Sequence, residues 1–298
     1  MKILLLGPDG QVGWELRRAL APLGEVVAVG RAGADGLCGD LARPEAVAET
    51  VRRVAPAAIV NAAAYTAVDR AESEPDAAAA VNAAAPGVLG TVAREVDAWL
   101  VHYSTDYVFD GSGQRPWREH DATAPLSIYG RTKLAGEQAI RASGCRHLIL
   151  RTSWVFAARG GNFARTMLRL AAERERLTVI DDQFGAPTGA ELIADVSAHA
   201  LMGARLQPAL AGTYHLAAAG ETSWCGYARH VIDFARRHGW PLAVREVAAI
   251  PTTAYPTPAR RPLNSRLDCG RLEKVFGLQL PPWQHGVERM ITEISDRP

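Results

Sequence analysis

The sequence predicts an α/β protein: a doubly wound parallel sheet with a smaller C-terminal α/β domain. Three observations carry this reading. Short apolar runs alternate with segments of helical spacing over the first ~150 residues, the pattern of a parallel sheet with helices on both faces. The first run, residues 3–6, is continuously apolar, as a strand buried on both faces requires. A glycine-spaced turn, Gly7-Pro8-Asp9-Gly10-Gln11-Val12-Gly13, joins it to the first helical segment.

The elements follow in order. Residues 14–23 are helical, with Val12, Leu16, Ala19, Leu20 and Leu23 on one face and Gly24 as the stop. Residues 25–29 form a second strand that ends at Gly30-Arg31, and a third short strand is expected to end at Gly39-Asp40-Leu41. A helix at 44–54, a strand at 57–64, an Ala-rich helix at 75–96 bent near Pro86, and a strand at 99–104 come next. A helix at 127–143 and a strand at 147–152 complete the alternation. The later chain is less regular: helix 162–175, strand 177–180, helix 191–202, strand 212–216 and helix 223–238, the last opened by a Ser cap. A Pro-rich extended loop at 251–262 and a partly helical tail at 269–294 follow.

Composition sets the bounds. A chain of 298 residues forms one large or two smaller domains. A formal net charge of +1 gives no reason to expect nucleic acid or an anionic membrane as partner. Cys38, Cys145, Cys225 and Cys269 are scattered without metal-like spacing, which suits a reducing compartment. The apolar run near the N-terminus is too short for a signal-peptide core, and no run reaches the ~18 residues of a membrane span. The expected location is therefore the cytoplasm.

The glycine turn carries the first chemistry. Gly7, Gly10 and Gly13 let the chain turn sharply and bring backbone N–H groups to a pyrophosphate at the helix N-terminus. The competing reading is a tight turn with no ligand. The end of the second strand meets the adenosine ribose, where an acid suits a 2′-hydroxyl and an arginine suits a 2′-phosphate. Arg31 stands there with no acid next to it in sequence, which points to NADPH; a solvated arginine is the alternative.

Tyr129 and Lys133 are four residues apart in a helical segment and so share a face. The chain has only three lysines, Lys2, Lys133 and Lys274, which sets this pair apart from a plain helix start with a solvated lysine. Ser104 and Thr105 close the fifth strand, where an open α/β sheet places its ligand crevice. A free tyrosine titrates near ~10; a neighbouring ammonium and an oxidised nicotinamide are expected to lower that value. Asp181-Asp182 read as a solvated turn rather than a metal pair. His102, His120 and His215 lack ligand spacing, and Tyr107 and Trp154, taken singly, read as core. Arg260-Arg261 either clamp a phosphate or decorate a loop.

Together Gly7, Gly10, Gly13, Thr105, Tyr129 and Lys133 resemble the extended short-chain dehydrogenase/reductase superfamily. The resemblance sharpens with five further stretches. These are Ser104-Thr105-Asp106-Tyr107-Val108-Phe109-Asp110-Gly111, Tyr129-Gly130-x-Thr132-Lys133, Arg151-Thr152-Ser153-Trp154-Val155-Phe156, Asp182-Gln183-Phe184-Gly185-Ala186-Pro187-Thr188 and Arg260-Arg261-Pro262-x-Asn264-Ser265. They resemble the dTDP-4-dehydrorhamnose reductase family over nearly the whole chain. That resemblance implies an NAD(P)-binding Rossmann domain at 1–155 plus about 189–211, and a nucleotide-sugar-binding domain at about 156–188 and 212–298. It implies reduction of the C4 ketone of dTDP-4-dehydro-β-L-rhamnose to dTDP-β-L-rhamnose, the last step in making that cell-surface sugar donor. NADPH is the expected reductant, with NADH also acceptable. By the family pattern Gly10, Gln11 and Val12 hold the pyrophosphate, Asp40 and Leu41 face the adenine, and Ala62, Ala63 and Ala64 line the dinucleotide. Thr105, Asp106, Trp154 and Arg261 contact substrate, and Tyr129, Lys133 and Thr105 are catalytic. Some members bind Mg²⁺ between the subunits of a homodimer, and Glu15 and Glu191 match those positions. Two other readings share these motifs: an NAD-dependent nucleotide-sugar 4-epimerase, and a non-catalytic regulatory subunit of methionine adenosyltransferase.

Overall fold

The computed structural model describes residues 1–295. Six strands, β1 (Lys2–Leu6), β2 (Glu25–Val29), β3 (Ala58–Asn61), β4 (Trp99–Thr105), β5 (His147–Thr152) and β6 (Gly212–His215), form one sheet. Its order is β6-β5-β4-β3-β1-β2 and every pairing is parallel. Eight helices matter here: α1 (Gln11–Leu20), α2 (Pro44–Val54), α3 (Ala85–Glu95), α4 (Ile128–Ser143), α5 (Phe163–Glu173), α6 (Ala190–Leu206), α7 (Trp224–Arg237) and α8 (Trp283–Ser295). Strand β1 shows why this is a doubly wound sheet. Ile3 and Leu5 enter a core layer with Leu16 and Leu20 of α1 and Ile193 and Leu201 of α6. Leu4 and Leu6 enter the opposite layer with Val47 and Val51 of α2 and Leu89 of α3. Both faces are dry, so an apolar residue is needed at every position rather than at alternate ones. Among the described residues, no helix is long and apolar enough to cross a membrane.

A third core lies outside the sheet. Phe156, Leu168, Leu177, Tyr227, Val231, Trp283 and Ile291 pack together beneath α5, α7 and α8. Parallel strands at Arg176–Ile180 and Glu246–Ile250 flank it.

Three expectations change. The strand expected to end at Gly39-Asp40-Leu41 does not form. Ala34 and Leu37 instead exchange backbone hydrogen bonds in a tight bridge, and the Cys38 N–H donates to Thr50 Oγ1 on α2, so no ladder partner is left for a strand. The segment from 212, expected to open the second domain, pairs with β5 and forms the edge of the main sheet. Tyr214 and Leu216 accordingly belong to the sheet's core layer, which carries the boundary past 212. The bend near Pro86 is a π turn at Ala80–Ala84, where the Ala85 N–H reaches back to Ala80 O. Proline lacks an N–H and its ring crowds the preceding turn, and the wider turn relieves this.

Candidate active site

Strand β1 pairs with β2 on one side and β3 on the other, so the strand order reverses beside it, and the crevice of an open α/β sheet lies at such a point. Gly7 leaves β1 at φ +76°, and a Cβ there would lie 2.7 Å from Ala63 N. The turn is therefore built against residues 62–64 at the end of β3. Gly13 is tighter still: a Cβ would sit 1.9 Å from Gly7 O, which holds α1 hard against the turn. A Cβ on Gly10 would meet only Gly7 O, at 3.6 Å, so its outer side is open. Helix α1 begins at Gln11, three residues earlier than its spacing suggested, which puts the unpaired N–H groups of Gln11, Val12 and Gly13 at the opening. These are the features a pyrophosphate needs, and the residues present fit a dinucleotide. At the end of β2 the exposed Arg31 lies 3.6 Å from Asp40, an acid supplied from nine positions along. Leu41 is buried in the core layer under β2, leaving only its backbone to face an adenine.

Across the crevice, β4 ends in Thr105, which caps the turn Asp106–Val108 by accepting from the Tyr107 N–H at 3.2 Å. Helix α4 starts beside it. Ser127 caps that helix by accepting from the Gly130 N–H, and Glu72 accepts from the Ile128 N–H at 2.8 Å. Gly130 is required because a Cβ would lie 2.2 Å from Tyr107 O. This close approach sets the Tyr129 ring edge-on to Tyr107, 5.5 Å between centroids. Burial pushes the Tyr129 phenol up to about 12; the hydrogen bond with Thr105 pulls the other way and the Asp106 charge adds to the rise. In the protein alone the value therefore lies above the ordinary one. Lys133 is buried and donates to Tyr103 O at 2.6 Å, and burial brings its own value down to about 8 while Glu137 opposes the drop. Asp106 is also buried, which raises its carboxyl to about 6 against hydrogen bonds from Ser265 and Thr105. Its Oδ2 has no partner.

Beneath these residues lies a buried ion pair. Glu137 accepts from Arg151 Nε and Nη2 at 2.8 and 2.7 Å, from Ser104 Oγ at 2.5 Å and from Arg141 at 3.1 Å. It ties α4, which carries Tyr129 and Lys133, to the ends of β5 and of β4, which carries Thr105.

The other residues expected to contact substrate come from farther along the chain. Trp154 adopts φ +49°, an uncommon backbone for so bulky a residue and one found where a side chain must be aimed. Its ring stacks on Trp224 at 3.6 Å, and the Trp224 indole N–H donates to Gln183 at 3.1 Å. Gly185 leaves room for it; a Cβ there would lie 2.8 Å from the Trp154 ring. Arg261 is already engaged, donating to both oxygens of Asp69 at 3.1 and 2.8 Å. Asp181 and Asp182 are not a solvated turn. Asp181 accepts from Ser223, the cap of α7, and Asp182 accepts from Thr252 N and Oγ1 at 2.9 and 2.5 Å. Glu15 and Glu191 lie apart from all this. Glu15 pairs with Arg18 at 3.4 Å; burial raises Glu191, with Arg289 opposing and Glu15 and Glu293 adding to the rise. Among the described residues no group of three or more His, Cys, Asp or Glu side chains is placed to hold a metal ion.

Residue-by-residue reading passed over Asn61, Asp69, Glu137 and Trp224, and weighed His102 only as a metal ligand. A buried Glu four residues after Lys133 was visible in sequence as helix spacing; its Arg partner on β5 was not. The assembled groups suit one chemistry. A phenol that keeps its proton, a threonine and a lysine stand across a crevice from a dinucleotide turn, as carbonyl reduction requires.

Comparison with known proteins agrees. A family model described as the RmlD substrate binding domain matches residues 1–295. The chain is similar to the dTDP-4-dehydrorhamnose reductase of Escherichia coli (strain K12), with 59% identity over 294 residues, covering 99% of this chain and 98% of that one. Among solved structures, the dTDP-4-dehydrorhamnose reductase of Clostridium acetobutylicum superposes with a TM-score of 0.89 at 33% identity, over 99% of this chain and all of that one. The Bacillus anthracis enzyme of the same name, crystallised in complex with NADP, gives 0.87 at 32% identity over 98% and 99% of the two chains.

Proposed function

The chain belongs to the RmlD substrate binding domain family, whose members here are dTDP-4-dehydrorhamnose reductases, and from that premise we propose how its residues share the reaction. The reaction is the reduction of the C4 ketone of dTDP-4-dehydro-β-L-rhamnose to the alcohol of dTDP-β-L-rhamnose. The observation that carries the assignment of roles is the meeting of Tyr129, Thr105 and Lys133 at the end of β4, across the crevice from Gly7, Gly10 and Gly13.

Gly10, Gln11 and Val12 hold the pyrophosphate through backbone N–H groups, Ala62, Ala63 and Ala64 line the same ligand, and Arg31 takes a 2′-phosphate, which favours NADPH. When bound, the dinucleotide supplies a hydride from its nicotinamide. Tyr129 gives its proton to the carbonyl oxygen as that oxygen gains negative charge. Thr105 hydrogen-bonds the same oxygen and fixes it against the phenol. Lys133 holds positive charge on the face of α4 beside Tyr129, which steadies the phenolate left behind. A phenol held up to about 12 by burial stays protonated at neutral pH, which a proton donor needs. Asp106 offers its unpaired Oδ2 to a sugar hydroxyl. Trp154, braced by Trp224, packs on the sugar face. Arg261 reaches substrate only through a rearrangement of its bond to Asp69.

The epimerase and regulatory-subunit readings are set aside, since relatives that match along the full chain carry the reductase name. A homodimer, with Mg²⁺ at Glu15 and Glu191 completed by a second copy, and a cytoplasmic location remain parts of the proposal. No catalytic step runs through the metal. The test is NADPH oxidation by the purified protein with dTDP-4-dehydrorhamnose generated in situ. One NADPH consumed per sugar reduced is the expected result. Conversion of the dTDP-sugar with no added reductant, or none with NADPH present, overturns the reading.

A further inference from the structure

A buried chain of three side chains runs behind the catalytic helix, from Asn61 on β3 through His102 on β4 to Lys133 on α4. Asn61 and His102 are each 1% exposed and Lys133 is 2% exposed, so the line is shielded from bulk solvent. The Ala63 N–H donates to Asn61 Oδ1 at 3.2 Å, which fixes the orientation of the amide. Its Nδ2, a donor only, lies 3.2 Å from His102 Nδ1. Nδ1 must therefore accept. A neutral imidazole then carries its single proton on Nε2. That nitrogen lies 3.4 Å from Lys133 Nζ. An ammonium has three N–H donors and no lone pair, so it cannot accept this proton; a neutral amine can.

We propose that His102, oriented by Asn61, is a positioning residue that turns an Nε2–H donor toward Lys133 and thereby favours its neutral amine over its ammonium. The other groups around Lys133 are few. From β4 the Tyr103 carbonyl accepts at 2.6 Å and suits either form. On α4 itself Glu137 favours the ammonium, but its carboxylate is shared with Arg151 of β5 and with Arg141. Tyr129, one turn before Lys133, is protonated. Burial and the Lys133 charge hold the His102 imidazole well below its ordinary value, so it stays neutral and the choice is between tautomers. Burial likewise brings Lys133 down to about 8. The charge that steadies the Tyr129 phenolate is thus itself titrated close to neutral pH, and turnover falls on the alkaline side as it is lost.

This inference rests on the reductase reading for the importance of Lys133, but its test needs no turnover. The chain has three lysines, so protein carrying ¹³C at the lysine ε-carbons gives three signals, and Lys133 is assigned by its loss in Lys133→Arg. ¹⁵N-histidine spectra of the wild type should place the His102 proton on Nε2. In His102→Leu, which removes the donor, the Lys133 midpoint should rise by about one pH unit. In His102→Gln, which retains a donor, it should stay near the wild-type value. The alkaline limb of kcat should move with the midpoint. A proton on Nδ1 in the wild type, or an unmoved Lys133 midpoint in His102→Leu, overturns the inference, and the first of these reads out even if His102→Leu fails to fold. Either result in a protein that still reduces the sugar sinks this inference alone. Lack of reduction with the expected tautomer sinks the functional reading alone.

Discussion

Replacing Glu137 by glutamine tests whether the buried ion pair organises the site. The substitution preserves shape and removes the charge. Arg151, only 3% exposed, then remains a buried cation whose nearest anion is gone. Removing one partner of such a pair costs about 3–5 kcal/mol, and the low end applies because an amide still accepts from Ser104 and Arg151. For a chain of this size, 3 kcal/mol corresponds to roughly 5 °C in Tm. Urea denaturation and calorimetry at pH 7 measure it. The acid dependence gives a second, independent signature. Burial pushes the Glu137 carboxyl up, yet the bonds from Arg151, Ser104 and Arg141 outweigh this and hold it below the ordinary range. A carboxyl depressed in the folded state stabilises above its unfolded value, near ~4.3, and loses that contribution as pH falls through the folded value. The stability gap between wild type and Glu137→Gln is therefore full at pH 7 and narrows below about pH 4. A gap under ~1 kcal/mol at pH 7, or one that widens in acid, refutes the argument.

Tyr129→Phe keeps the ring against Tyr107 but removes the proton donor, and kcat should drop by roughly 10²-fold or more with KM little changed; near wild-type kcat with chemistry rate-limiting would strip Tyr129 of its role. Gly13→Ala forces a Cβ to within 1.9 Å of Gly7 O, so fluorescence titration should show dinucleotide binding largely lost, and an unchanged Kd would mean that the turn does not hold the ligand. Arg31→Asp should raise KM for NADPH while sparing NADH; a wild type that prefers NADH removes the argument. Native mass spectrometry should give a dimer that weakens with EDTA if Glu15 and Glu191 share Mg²⁺ across two copies, whereas a mass indifferent to EDTA separates assembly from the metal.

Much of this molecule is legible locally. A continuous apolar run marked β1, because a strand dry on both faces needs an apolar residue at each position. The i, i+4 spacing put Tyr129 and Lys133 on one helix face, and three glycines marked the turn after β1. The expected strand ending at Leu41 lies in a stretch rich in glycine and aspartate. It failed because Ala34, Leu37 and Thr50 satisfied its backbone first. Residues 212–216 read correctly as a strand, yet nothing within them indicated that β5 would be their partner.

What the sequence determined alone was the alternation of elements, the dinucleotide turn and the pairing of phenol with lysine, all of which depend on neighbours within a turn or a strand. The tertiary structure decided what each group experiences. It raised Tyr129 by burial, engaged Arg261 with Asp69, and turned Asp181 and Asp182 into anchors for two separate loops. It also brought Asn61, His102 and Lys133, from three elements far apart in the chain, into one dry line. Burial and hydrogen-bond partners belong to the packed chain, and they set the protonation states on which the chemistry runs.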